Sequence, residues 1–307
     1  MERKNHLDGL AIGALLILCL SWSGQQVAIK LIAADISPVM QCAIRSIGAT
    51  IIVGLWAIYR RVPLFERDGT LWWGIVVGLL FAIEFMLIYW ALDFTHASRG
   101  VIFIYLAPFV VAIGAHMFLP HERLGLTQYV GLSVAFVGLI VAFGESFTFP
   151  SRQMLIGDSM MLLAAILWGA TTVVIKAGPL ANISASKTLL YQLAVSSVVL
   201  PIGSWLLNEP GIVNVSSAAV MSMIYQTVWI GSFTFPTWFW LIRHYPAPRL
   251  ASFTFITPIL GVFAGWLVLD EPLTTALLVA MALVAVGIYL VNRPTGSRGT
   301  GKVPMEA

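Results

Sequence analysis

Apolar stretches long enough to cross a lipid bilayer follow one another along almost all of this 307-residue chain, and that succession constrains the fold more than any other feature. A helix needs about 20 mostly apolar residues to span the hydrocarbon core, and in lipid only helices or closed barrels satisfy every backbone N–H and C=O. The stretches are continuous and do not alternate apolar with polar, so they predict helices. Ten spans are predicted, at about residues 8–31, 37–59, 70–92, 97–119, 125–144, 156–177, 185–207, 217–242, 247–269 and 273–292. The breaks between them are short and carry Pro or Gly, as in "ISP", "GPLAN", "NEPG" and "DEP". Composition agrees: 59% of residues are hydrophobic and 10% charged, against roughly a quarter charged in a soluble domain. The expected fold class is an all-α polytopic membrane protein with no soluble domain.

Charge sets the expected topology. Counted over the loops and span ends, thirteen Lys and Arg fall on the side of the N-terminus and two, Arg99 and Arg152, on the other, with Lys30 and Arg45 in or at the ends of spans. The positive-inside bias then puts both termini in the cytoplasm of a bacterial-type inner membrane. A net charge of +3 spread over separate loops gives no nucleic-acid footprint. Cys19 and Cys42 lie inside apolar stretches and read as small buried hydrophobes. "MERKNHLD" leads into a stretch too long for the apolar core of a signal peptide, so it reads as the approach to the first span. The Gly-rich tail 294–307 is expected to be disordered.

The chain is related to itself. "SWSGQQVAIK" (residues 21–30) aligns with "LWGATTVVIK" (167–176), pairing Trp22 with Trp168, Lys30 with Lys176, and Gln25–Gln26 with Thr171–Thr172. "YWALDFTHASRGVIFIYLAP" aligns without gaps to "FWLIRHYPAPRLASFTFITP", pairing Trp90 with Trp240, Arg99 with Arg249 and Pro108 with Pro258. The expected organisation is a first five-helix unit over residues 1–148 and a second over 149–293. Five is odd, so the second unit enters the membrane from the opposite face. Inverted repeats around a shared central cavity are the architecture of alternating-access secondary transporters.

These residues resemble the drug/metabolite transporter superfamily and its EamA-type ten-helix exporters. The resemblance runs from about Leu7 to Asn292 and rests on the paired Trp–Lys helices, the Gly157–Asp158 opening of the second half, the prolines of spans 4 and 9, and the Glu122 and Glu271 loops. Ser23 departs from the small Gly that commonly follows the Trp in that family. The aromatic-rich spans 3, 4 and 8 look most like the branch that exports aromatic and other bulky neutral amino acids. The resemblance thus implies a small-molecule substrate, an amino acid foremost, handled in the bilayer by a monomer or loose dimer.

Polar groups inside spans need a partner or a wet cavity. Gln25 and Gln26, with Thr171 and Thr172 at the paired positions, are candidate cavity-lining residues, the alternative being hydrogen bonds between helices. Glu84, the carboxylate well inside a span, costs about 2.5 to 3.5 kcal/mol there. It is a candidate proton carrier or partner for a substrate ammonium, the alternative being a structural pair with Arg45. Tyr105, Trp168, Tyr225 and Trp229 are candidates to stack on the substrate or to clamp a cation, or they pack the core. Pro108, Pro236 and Pro258 remove helix hydrogen bonds in mid-span and are candidate hinges. Lys30 and Lys176 are expected to stabilise helix C-termini and snorkel, the alternative being a binding role, Asp158 to sit at a helix entrance, and the small-residue spans 5 and 10 to approach closely. The histidines, His6, His96, His116, His121 and His244, are isolated or in loops, so no metal, cofactor or enzymatic constellation is expected. An exporter of another metabolite or drug class, or a passive channel, are the other functional readings.

Overall fold

The structure, a computed structural model, describes residues 6–91, 93–95, 97–144, 150–261 and 275–293. The side chains of Gln26, Lys30 and Arg99, together with Glu271 and the tail after residue 293, lie outside what is described. The described chain is helical, apart from one isolated antiparallel bridge between Ile36 and Ile212.

The helices are α1 (Gly9–Leu31), α2 (Pro38–Tyr59), α3 (Leu71–Ala91), α4 (Ala97–Ile104), α5 (Ala107–Phe118), α6 (Leu126–Phe143), α7 (Arg152–Ala177), α8 (Ala185–Leu206), α9 (Ser217–Ile224), a π segment (Tyr225–Thr234), α10 (Phe235–His244), α11 (Ala247–Phe253), α12 (residues 256–261) and α13 (Thr275–Asn292). Seven helical stretches among the described residues are long and apolar enough to cross a membrane. The expected spans 8, 9 and 10 correspond to the unbroken run of α9, π segment and α10, to α11 with α12, and to α13.

Their ends follow from local chemistry. The Asp8 carboxylate accepts from the Ala11 N–H at 2.9 Å and caps α1, while the Ser151, Ser184 and Ser216 hydroxyls accept from the third residue of α7, α8 and α9. Asp158, expected at a helix entrance, instead lies inside α7 and accepts from the Thr95 hydroxyl at 2.7 Å. α2 and α8 end alike, with Arg61 (φ +52°) and Asn208 (φ +56°) in the left-handed region. In each, the next residue donates back to the helix, Val62 to Ala57 and Glu209 to Ser204, closing a Schellman motif.

Span 4 is interrupted at the candidate hinge Pro108. α4 stops at Ile104, Tyr105 and Leu106 leave the helix, and α5 begins with Pro108 in its first turn. The proline ring crowds the carbonyl four residues back, here Ile104, and offers no N–H to it. Span 9 breaks in the same way: α11 stops at Phe253, Thr254 and Phe255 leave the helix, and α12 carries Pro258. In span 8 the π segment ends at Thr234, Pro236 lies in the first turn of α10, and the Ser232 hydroxyl donates to the Thr227 carbonyl at 2.8 Å.

α6 packs along α13, α2 along α8, and α3 against both α7 and α8; α5 touches α7 and α11, and the π segment lies on α1 and α2. Two clasps join the first half to the second. At the expected outer end, Glu209 accepts from the Val39 and Met40 N–H groups and from the Ser37 and Ser204 hydroxyls, covering the N-terminus of α2. At the opposite end, Asp68 pairs with the Lys187 ammonium in the first turn of α8 at 2.7 Å. That hydrogen bond holds the Asp68 carboxyl well below the usual carboxylate range.

Candidate functional site

The two interrupted helices meet in the middle of the bundle. The Tyr105 and Phe255 ring centroids, one from each break, are 6.1 Å apart, and Trp168 of α7 stands edge-on to Tyr105 at 6.2 Å. Tyr105 is half-buried, packed against the apolar core of the bundle. The Thr257 hydroxyl lies beside both Tyr105 and Cys19, and its oxygen has no hydrogen-bond partner. The Thr171 and Ser23 hydroxyls are likewise buried without a partner, whereas Thr172 donates back to the Trp168 carbonyl at 3.2 Å. Gln25 is 6% exposed and makes no hydrogen bond among the described residues.

A second aromatic cluster lies in the same core. Trp22 of α1 donates to the Thr234 hydroxyl at 3.1 Å and meets Trp238 edge-on at 5.4 Å. Phe81 and Phe85 of α3 are 4.7 Å apart, and both face Phe235, at 5.9 and 6.4 Å. Glu84, between them in sequence, is 5% exposed. Arg45 of α2 is fully buried, its guanidinium 4.6 Å from the Phe85 centroid and 5.4 Å from that of Phe235. Arg45 and Glu84 are not in ion-pair contact, so the structural pairing considered for them is not what the structure contains.

Tyr225 and Trp229 have a different place. The Tyr225 hydroxyl donates to the Ser21 carbonyl at 2.8 Å and the Trp229 indole N–H to the Ser21 hydroxyl at 2.9 Å, so both tie α1 to the π segment. Trp229 is 41% exposed and stacks on Phe233 at the bundle surface. Several buried polar side chains had not been singled out in the sequence. Gln226 donates to Gln41, which donates to the Ile29 and Ile36 carbonyls. Gln192 and Ser196, one turn apart on α8, are fully buried with no partner for the amide or the hydroxyl. Polar residues four apart in an apolar span, Gln41 with Arg45 and Gln192 with Ser196, are the signal that marks them.

The expected cytoplasmic end is closed by charge. The Lys176 ammonium at the end of α7 pairs with Glu122 at 2.7 Å and donates to the Tyr245 carbonyl. It is buried and does not snorkel to water. Glu122 accepts from the Ala247 N–H at 2.8 Å, the Tyr245 hydroxyl donates to Asp8 at 2.9 Å, and Arg249 lies 2.6 Å from the His6 ring nitrogen. Among the described residues no group of His, Cys, Asp and Glu is placed to hold a metal ion.

Against known proteins, the EamA-like transporter family model matches twice, over residues 9–144 and 155–293. The chain belongs to the EamA-like transporter family. This EamA-like protein is 25% identical over 285 residues to the uncharacterized transporter YoaV of Bacillus subtilis, covering 92% of this chain and 97% of that one. It is 27% identical to a chloroplastic WAT1-related protein of Arabidopsis thaliana, over 90% of this chain and 68% of that one. A probable amino-acid metabolite efflux pump of Escherichia coli is 23% identical over 94% of this chain and 95% of its own. A solved crystal structure with 17% sequence identity has a TM-score of 0.77 and covers 90% of this chain and 94% of that chain, a likeness of fold. The protein is therefore a multi-pass membrane transporter.

Proposed function

We propose that this EamA-like transporter exports small metabolites, foremost aromatic and other bulky neutral amino acids, by alternating access. The observation that carries the reading is the meeting of two helix breaks, at Tyr105 and Phe255, from positions that the internal alignment pairs. Discontinuous helices at a repeat interface are where secondary transporters bind substrate. The double match of one family model supports two homologous units, residues 1–148 and 149–293, inverted in the bacterial inner membrane with both termini cytoplasmic. Substrate lies against Gln25, Glu84, Tyr105, Trp168 and Thr171, and the aromatic walls favour a bulky apolar side chain. Tyr225 and Trp229 serve by holding α1 in place, and Pro108, Pro236 and Pro258 mark the bending points. The efflux pump of Escherichia coli named above adds weight to an amino-acid cargo. A passive channel is disfavoured by the buried ion pair of Lys176 with Glu122 at the expected cytoplasmic end.

Counterflow of radiolabelled tryptophan, methionine and threonine in proteoliposomes tests the reading. Saturable exchange that is fastest for tryptophan is expected. Absence of exchange for every amino acid ends the amino-acid reading, and a steady current across a planar bilayer restores the channel.

A further inference from the structure

A fully buried arginine in a membrane span is expensive, and Arg45 is incompletely compensated. Of its three guanidinium nitrogens only Nη2 has a hydrogen-bond partner, the weakly accepting sulfur of Cys42 at 2.9 Å; Nε and Nη1 have none. The Tyr89 phenol lies alongside. The Phe85 and Phe235 faces supply cation–π attraction, which leaves the N–H donors unsatisfied. Gly231 lets the π segment approach α2 closely one turn from Arg45, since a Cβ there would lie 2.8 Å from the Ala49 Cβ. Next to Phe85, Glu84 sits in the field of Arg45, and among the described residues its carboxyl makes neither a hydrogen bond nor an ion pair.

A guanidinium and a carboxyl buried near each other for structure alone gain by closing onto each other, so a purely structural pair would be in contact. A pair held apart beside three phenylalanine rings fits a ligand that itself carries both charges and an apolar body. We propose that Arg45 is the carboxylate anchor of the transport site. An α-amino acid binds there as a zwitterion, its carboxylate accepting from the Nε–H and Nη1–H of Arg45 and its ammonium facing Glu84, with its side chain against Phe81, Phe85 and Phe235. No net charge then enters the site with the cargo. The assignment rests on the amino-acid exporter reading and adds the group that reads the carboxylate.

The test uses the full chain in proteoliposomes loaded with radiolabelled tryptophan. Tryptophan methyl ester and tryptamine, which keep the ammonium and the indole but lack the carboxylate, should compete at least about tenfold more weakly than tryptophan, the loss of one charge-assisted contact. In Arg45→Gln the apparent affinity for tryptophan should fall about as much while that for tryptamine holds or rises, and Arg45→Lys should recover part of the difference. Equal competition by ester, amine and amino acid in the unmutated protein overturns the assignment whether or not the variants fold. A failure of all amino-acid exchange removes the exporter reading first and this assignment with it.

Discussion

At the scale of single residues, the buried ion pair between Lys176 and Glu122 shows how context overrides habit. A lysine at a helix end ordinarily reaches for water. Here its side chain is 2% exposed and that of Glu122 is 9% exposed, at 2.7 Å separation. Removing one partner of such a pair leaves an uncompensated buried charge, which costs about 3 to 5 kcal/mol. Glu122→Gln should therefore lower the thermal midpoint in detergent by several degrees. The double change Lys176→Met with Glu122→Leu should recover most of the loss, because two apolar groups of similar size carry no desolvation penalty. A midpoint unmoved by Glu122→Gln would mean that the remaining partners of the lysine, the Tyr245 carbonyl among them, satisfy it. Glu122 was legible as a loop residue and Lys176 as a helix end, but nothing along the chain says that they touch.

Among the elements, close approach is decided by glycines that face a neighbouring backbone. A Cβ on Gly287 of α13 would lie 2.5 Å from both the Ala135 N and the Gly131 O of α6, so neither helix has room to yield. Gly287→Ala should cost about 1 to 3 kcal/mol of stability through overpacking, read as a lower thermal midpoint. Gly13 of α1 has nothing within 4 Å of its would-be Cβ, so Gly13→Ala should be neutral or stabilise by a few tenths to about 1 kcal/mol. If both changes behave alike, α6 and α13 are not packed as described. The small-residue character of these spans could be read from the sequence, and so could the prolines that break spans 4 and 9. That the breaks put Tyr105 and Phe255 face to face could not, since a proline marks where a helix yields but not what fills the gap.

For the molecule as a whole, the proposed alternating access requires that the contacts among Lys176, Glu122, Tyr245, Asp8, His6 and Arg249 open during transport. The loop 2–3 clasp between Asp68 and Lys187 and the Glu209 clasp on α2 instead hold α2 and α8 to the loops that follow each other's helix. Movement is then expected in α1, α4, α5, α7 and α11, not in the α2–α8 pair. Cysteines at positions 6 and 249, bridged by a short bifunctional methanethiosulfonate, should reduce tryptophan counterflow at least about tenfold, with recovery on reduction. The native Cys19 and Cys42 are buried and should not react. Flux that persists with the bridge complete would show that this end does not gate.

The sequence by itself determined that the chain is a bundle of membrane helices and where most of them run. Lipid offers the backbone no partners, so continuous apolar stretches about 20 residues long have almost no other outcome. It also located the polar and proline positions at which that rule is broken. Only the tertiary structure decided which of those exceptions lie together: Arg45 with Glu84 and Phe235, Lys176 with Glu122, Tyr105 with Phe255. Helical periodicity reports the face a side chain occupies. Its partner in most of these pairs comes from a helix far away in the chain, and that choice is made by packing.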